Sequence, residues 1–408
     1  MRTVIRSAAV LDTATMSYSE PGAVVVEDGA IVAVGDGPAP AADVVIDAGG
    51  RFLLPGLIDA HVHFRLATFD FRAMVGWSEV EFGIVMAGLA AATVERGFTT
   101  VRDLGGEVTG LMRAIAAGRT LGPRIVRAGR MLTQTGGHGD GARGDRDVPS
   151  CGCALGADAL SIVVDGPDAV RKAARHELRG GSDFLKVHVS GGVASPSDPL
   201  ESVQYTPEEI AAAVTEARHR GTYVAAHAYS PESIGMAVDG GVHSIEHGNM
   251  LDADAAGRIA AADAVLVPTL VTYHAMQELG GRLGLPRRNL EKNAVVFDAG
   301  LASIELATAA GVTMGYGTDL IGESQGMQAR ELTIRAEVQP AVDVLRSMWV
   351  VNPRLCRLDG RIGTIAPGAH GDLVISRVDP LEDLAGFADT TTSLTHVLQA
   401  GRVVVDRD

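Results

Sequence analysis

From about residue 56 to residue 360 the chain alternates short β-type runs with helical stretches, and that alternation constrains its fold more than any other feature. Phe82, Val85, Leu89 and Ala92 recur at helical spacing, Gly97 stops the helix, and Phe98-Thr99-Thr100-Val101 reads as a strand. Thr206-Pro207-Glu208-Glu209 combines an N-cap, a first-turn proline and a capping-box glutamate. Gly221 ends that helix, and Tyr223-Val224-Ala225-Ala226-His227 follows as a strand. The next unit repeats the pattern: Ser230-Pro231 opens a helix, Gly240-Gly241 closes it, and Val242-His243-Ser244-Ile245-Glu246 is a strand. Eight candidate strands begin near residues 57, 98, 124, 183, 222, 242, 264 and 312. Eight βα units in about 300 residues predict an α/β fold of the TIM (β/α)8 type. An open doubly wound sheet is the rival, but no G-x-G-x-x-G follows the first strand.

The two ends of the chain read differently from its middle. Thr3-Val4-Ile5, Ala23-Val24-Val25-Val26, Ile31-Val32-Ala33-Val34 and Val44-Val45-Ile46 are short β runs, with a hairpin signal at Asp28-Gly29. Asp372-Leu373-Val374-Ile375, Thr395-His396-Val397-Leu398 and Gly401 to Val405 repeat that style. Such short sheets need a partner face. Residues 1–55 and 361–408 are therefore expected to form one composite β-sandwich, with a barrel of residues 56–360 inserted between them. A length of 408 residues fits this pair, since it exceeds what one core usually supports.

The net charge of −15 argues against a nucleic-acid footprint or a polybasic membrane anchor. No apolar run of about 18 residues and no signal-peptide core is present, so a cytoplasmic protein is the expectation. Three cysteines make no disulfide framework, and Cys151-Gly152-Cys153 reads as a reduced loop feature. Of 35 Lys+Arg residues only Lys172, Lys186 and Lys292 are lysine. Lys172 and Lys292 lie in helical runs and are expected to be ordinary solvated positions.

Side chains at the C-terminal ends of barrel strands converge on one mouth. His61 and His63, in Asp59-Ala60-His61-Val62-His63, are two apart and project to one face of the first strand. A lone core histidine is the bland reading of either; two on one face suit a chelating pair. Strand five ends at His227, strand six at His247, and strand eight leads to Asp319. Lys186 lies within Asp183-Phe184-Leu185-Lys186-Val187-His188, an otherwise apolar strand where an unmatched charge is costly. Pairing with an acid such as Asp319 is the simple explanation. With four histidines at the same mouth, carboxylation of a neutral Lys186 amine by CO2 is the better one, because a carbamate is an anionic ligand able to bridge ions. Four imidazoles, a carbamate and a carboxylate suffice for two divalent, Zn2+-like ions.

Gly56-Leu57-Ile58-Asp59-Ala60-His61-Val62-His63, the strand-four lysine, His227, His247 and Asp319 together resemble the amidohydrolase superfamily. Gln134 to Asp140, Ser190 to Pro196, Ala226-His227-Ala228-Tyr229 and Ser244 to Asn249 are similar, more narrowly, to binuclear zinc dipeptidases and carboxypeptidases of its prolidase-like group, which includes ochratoxin-type amidases. The resemblance implies that His61, His63 and Asp319 hold one metal, that His227 and His247 hold the other, and that carboxylated Lys186 bridges them. It also implies a homo-oligomer. Gln325 stands where relatives often have histidine, which bears on substrate identity more than on mechanism.

Two ions about 3.5–4 Å apart can share a hydroxide and polarise a carbonyl. Asp319 is then placed to take the hydroxide's proton and deliver it to the leaving amine. His138 and Tyr229 follow strand ends three and five and are candidates to hold the carbonyl oxygen or the substrate. Asp103 reads as a supporting group or turn cap, His188 as a supporting or satisfied core histidine, and His176 and His219 as solvent-facing. Arg65 is a candidate carboxylate clamp by its nearness to His63. The expected activity is hydrolysis of an amide or peptide bond to a C-terminal amino acid in a small or short-peptide substrate. The alternatives are a xenobiotic amidase (ochratoxin, urea or carbamate type), a cyclic-amide hydrolase of imidazolonepropionase type, and a structural barrel without catalysis.

Overall fold

Eight parallel strands carry the site: β1 (Leu57–Val62), β2 (Phe98–Asp103), β3 (Arg124–Arg127), β4 (Leu185–His188), β5 (Val224–Ala228), β6 (Ser244–His247), β7 (Val265–Val267) and β8 (Thr313–Met314). The computed structural model describes residues 1–35, 41–74, 76–140, 160–195 and 198–408, so Cys151 and Cys153 lie outside the described residues. Ladders join β1 to β3 and β4 to β8 in chain order. Two seams close them into a barrel. Asp183 N–H donates to Arg127 O at 2.8 Å between β3 and β4, while Ala60 N–H donates to Tyr316 O at 2.8 Å and Asp319 N–H to His61 O at 2.7 Å. All eight expected strands form, and two short ones were not foreseen. After β3 the chain turns at Gly129 (φ 77°) and resumes as Met131–Thr133, which pairs with β4 and with Ser161–Val163.

The helix starts follow local chemistry. Thr206 and Glu209 form a reciprocal capping box at helix Pro207–His219, Ser230 caps Pro231–Asp239, and Ser78 with Glu81 caps Glu79–Glu95. Ala226, Ala228, Ile245 and Leu266 turn their backs on the barrel interior and pack against Ile210, Ala213, Ile234 and Ile259 of the surrounding helices.

Strands from both chain ends share one nine-stranded sheet. Its pivot is Arg2–Asp12, which pairs with Gly22–Glu27 and Val44–Asp47 through its first half and with Phe52–Pro55 through its second. Ser7 (φ 56°) sits at the irregularity between the halves. Leu373–Ser376 joins Phe52–Pro55 on one side and Leu394–Gln399 on the other, and Ile5, Val24, Leu53, Leu373 and Leu398 share one apolar core. Asp28 (φ 49°) and Gly29 (φ 87°) make the expected hairpin turn. Leu54, Val374 and Leu394 pack with Phe98, Phe184 and Trp349, which seats the sheet against the barrel. Among the described residues no helix is long and apolar enough to cross a membrane.

Candidate active site

His61 and His63 leave β1 on one face, and the Nε2 of each lies 3.4 Å from Asp319 Oδ1. Each ring is held from behind. His61 Nδ1–H donates to Glu246 Oε2 at 2.8 Å, and His63 Nδ1–H donates to Gly105 O at 3.1 Å, so the Nε2 atoms of both rings face the mouth. Asp319 reaches this position from a left-handed backbone (φ 51°). Strand eight can run this close because a Cβ on Gly317 would sit 2.8 Å from His61 Cβ.

His227 is cross-strand neighbour to His188 on β4 and to Glu246 on β6. Its Nε2–H donates to Gly191 O at 2.9 Å, which leaves Nδ1 as the free nitrogen. His247 follows Glu246, whose side chain enters the barrel, so regular alternation would aim His247 outward. Its φ of 75° breaks that alternation. The imidazole then lies 4.7 Å from the His227 ring and 4.9 Å from the His61 ring, with Nδ1 engaged by Thr269 Oγ1 at 2.8 Å. Ligand atoms of His61, His247 and Asp319 all fall within 4.8 Å of one another, a spacing that suits a metal ion.

Lys186 points inward from β4 opposite the small Ala225. Its side chain is 1% exposed, and Nζ has no hydrogen-bond partner among the described residues. Burial draws the ammonium down to about 8 against the pull of Glu246 and Asp319. Burial also pushes His227 and His247 well below the usual imidazole range and His63 to about 4. Burial works to raise Asp319, but His61, His63 and His247 hold it well below the usual carboxylate range. Burial works to lower His61 as well, but Asp319 and Glu246 hold it above the usual imidazole range. Three imidazoles kept neutral by burial, a fourth paired with Asp319, an ionised carboxylate and an orphaned amine form a donor set that fits zinc-like divalent ions.

His138 lies beside this cluster, stacked on His227 at 4.4 Å and 21°, with its backbone N–H donated to Gln204 Oε1 at 2.8 Å. Tyr229 is buried 4.8 Å from His227, and its hydroxyl is 2.8 Å from that of Tyr273. His188 bonds the His138 carbonyl through Nδ1, which makes it both satisfied and part of the histidine cluster. Asp103 is a turn cap, accepting from Gly105 N–H at 3.1 Å and Phe64 N–H at 3.0 Å. Gln325 is buried on the short helix Gly322–Met327.

Two expectations are corrected. Arg65 is buried in a bidentate pair with Glu79, with its guanidinium carbon 3.8 Å above the Phe82 ring, so its charge is already matched away from a substrate. Lys292 is not solvated: it is 8% exposed, and its Nζ reaches the carbonyls of Gly192, Ser195 and Asp198. Sequence reasoning also missed Arg102 and Glu246. Both are fully buried, joined at 2.7 Å beneath His61, and Arg102 Nε donates to Ala60 O at 2.6 Å. The cost argument applied to Lys186 holds equally for a charge in Val101-Arg102-Asp103 or Ile245-Glu246-His247.

A closed barrel with this donor set at its mouth defines a metal-binding hydrolase. The amidohydrolase family model matches residues 52–404, and the chain belongs to that family. A solved prolidase complexed with N-methylphosphonate-L-proline matches with a TM-score of 0.95 and 40% identity over 100% of both chains. A Xaa-Pro dipeptidase with methionine bound in its active site matches at 0.87 and 27% identity over 99% of each chain. The ochratoxinase of Aspergillus niger is 28% identical over 366 residues, covering 86% of this chain and 75% of its own. The protein is thus a hydrolase acting on amide bonds.

Proposed function

We propose that the enzyme is a binuclear metal-dependent dipeptidase or N-acyl-amino-acid carboxypeptidase. The observation that carries this reading is the Lys186 amine, buried without a hydrogen-bond partner among the described residues and close to His61, His247 and Asp319. His61, His63 and Asp319 would hold one ion and His227 and His247 the other, with carboxylated Lys186 between them. When bound, two zinc-like ions supply Lewis acidity toward the scissile carbonyl and acidify water.

The chain's own groups do the rest. Asp319 faces His61 and His63 with Oδ1, and Oδ2 is assigned the proton that leaves the attacking water and returns to the departing amine. His138 and Tyr229, both against the His227 ring, are assigned to the carbonyl oxygen and to substrate orientation. The preference for an amino-acid leaving group rests on likeness: the ligands of the two solved relatives, a proline phosphonate and methionine, both carry an amino-acid carboxylate. The ochratoxinase relative supports a xenobiotic amidase as the second reading. A panel of dipeptides, N-acyl amino acids, neutral amides and lactams on the zinc-loaded enzyme decides between them. Turnover confined to substrates with a free carboxylate is expected, and turnover of neutral amides or lactams alone overturns the first reading.

A further inference from the structure

Lys292 lies in helix Arg287–Ala309, near its start, and reaches the loop that follows β4. Its Nζ donates to Gly192 O at 2.9 Å, to Ser195 O at 2.7 Å and to Asp198 O, with the Asp198 carboxylate 3.9 Å away. An ammonium has three N–H donors on a tetrahedral centre, and the carbonyls of Gly192, Ser195 and Asp198 consume them all. A planar guanidinium could not turn its donors toward one point in this way. One helical turn earlier, Asn289 Nδ2 donates to Val193 O at 2.6 Å and Ala194 O at 2.8 Å, so the same helix grips five successive and near-successive carbonyls of the loop.

The loop in turn holds two histidines of the site. Gly191 O receives the Nε2–H of His227, which decides which nitrogen of that ring faces the mouth. Asp198 Oδ2 accepts Gly192 N–H at 2.9 Å and lies 3.7 Å from His138 Nδ1. The backbone of Gly192 rests against the His138 ring so closely that a Cβ there would stand 2.2 Å from it. We infer that Lys292 is a positioning residue: its ammonium locks the loop after β4, and that loop sets the orientations of His227 and His138. The part of this inference that concerns metal retention rests on the functional reading above; the part that concerns the loop does not.

The test compares wild type, Lys292→Met and Asn289→Ala by hydrogen exchange and by chelator competition for bound zinc. Peptides covering residues 189–195 are expected to exchange about tenfold faster in Lys292→Met, while peptides covering 57–62 are unchanged. One zinc, that of His227 and His247, is expected to be lost about 10- to 100-fold more readily, while the zinc of His61, His63 and Asp319 is retained as in wild type. A general loss of structure would weaken both ions together, and that result overturns the proposal. Unchanged exchange at 189–195 does the same. If wild type binds no zinc, the functional reading fails, and the exchange arm still judges Lys292. Should Lys292→Met not fold, Asn289→Ala releases two bonds to the same loop and must show the same pattern at smaller size.

Discussion

Glu246→Gln separates the stability of the barrel interior from the tuning of His61. Glu246 accepts from Arg102 and Ser244 through Oε1 and from His61 through Oε2, so every partner is a donor. A carboxamide must turn its NH2 toward one side. Facing His61, it forces the imidazole proton onto Nε2, the atom aimed at Asp319. Facing Arg102, it opposes two donor groups. Either way the Arg102 guanidinium, fully buried, loses its counter-charge. Removing one partner of a buried pair costs about 3–5 kcal/mol. At about 2.1 cal/mol/K per residue, a 408-residue chain that unfolds as one unit has an unfolding entropy of about 0.9 kcal/mol/K, so Tm falls by about 4–6 °C. Loss of a group that supports a metal-ligating histidine weakens the metal about 10- to 100-fold. Calorimetry and chelator competition read the two effects separately. Adding Arg102→Met to Glu246→Gln removes the unmatched charge and is expected to recover about 0.5–3 kcal/mol of stability while leaving metal retention impaired. Equal Tm losses in the single and double variants, or wild-type metal retention in Glu246→Gln, would refute the reasoning.

Lys186→Ala is expected to lose one of two bound metals and most activity, with partial rescue by short carboxylates; full activity with both metals bound would remove the carbamate. Gly192→Ala places a methyl against the His138 ring and is expected to lower kcat with metal content unchanged, as read by steady-state kinetics and elemental analysis. Burial raises Glu331 from its ordinary 4.5 to about 8, so the folded protein holds its proton where the unfolded chain has released it. Its contribution to stability is fully present below pH 4.5 and is lost as pH climbs through about 8; Glu331→Gln should flatten Tm against pH across that window.

The barrel was legible because its units are punctuated locally: Thr206 with Glu209 starts a helix, Ser230 another, and Gly97 (φ 92°) ends a third. His61, His63, Lys186 and His227 were legible because strand periodicity aims them. The structure brings His247 and Asp319 to the same mouth through left-handed backbone that no spacing rule encodes, so strand order alone pointed to them. Lys292 and Arg65 were misread for a common reason. Their partners are set by tertiary contact, Lys292 with carbonyls 94 to 100 residues away and Arg65 with a helix 14 residues on. Carbonyls are present in every residue and leave no trace in composition or pattern.

The burial of two lysines has a practical side. Lys186 and Lys292 are 1% and 8% exposed, and Lys172, on the outer helix Pro167–Arg179, is the one exposed lysine side chain. Amine-directed esters therefore meet a single accessible lysine on the folded protein, alongside the exposed α-amine of Met1, which pairs with Asp28 at 2.8 Å. A dye, a biotin or a solid support attached at Lys172 couples through a side chain that takes no part in the mouth of the barrel.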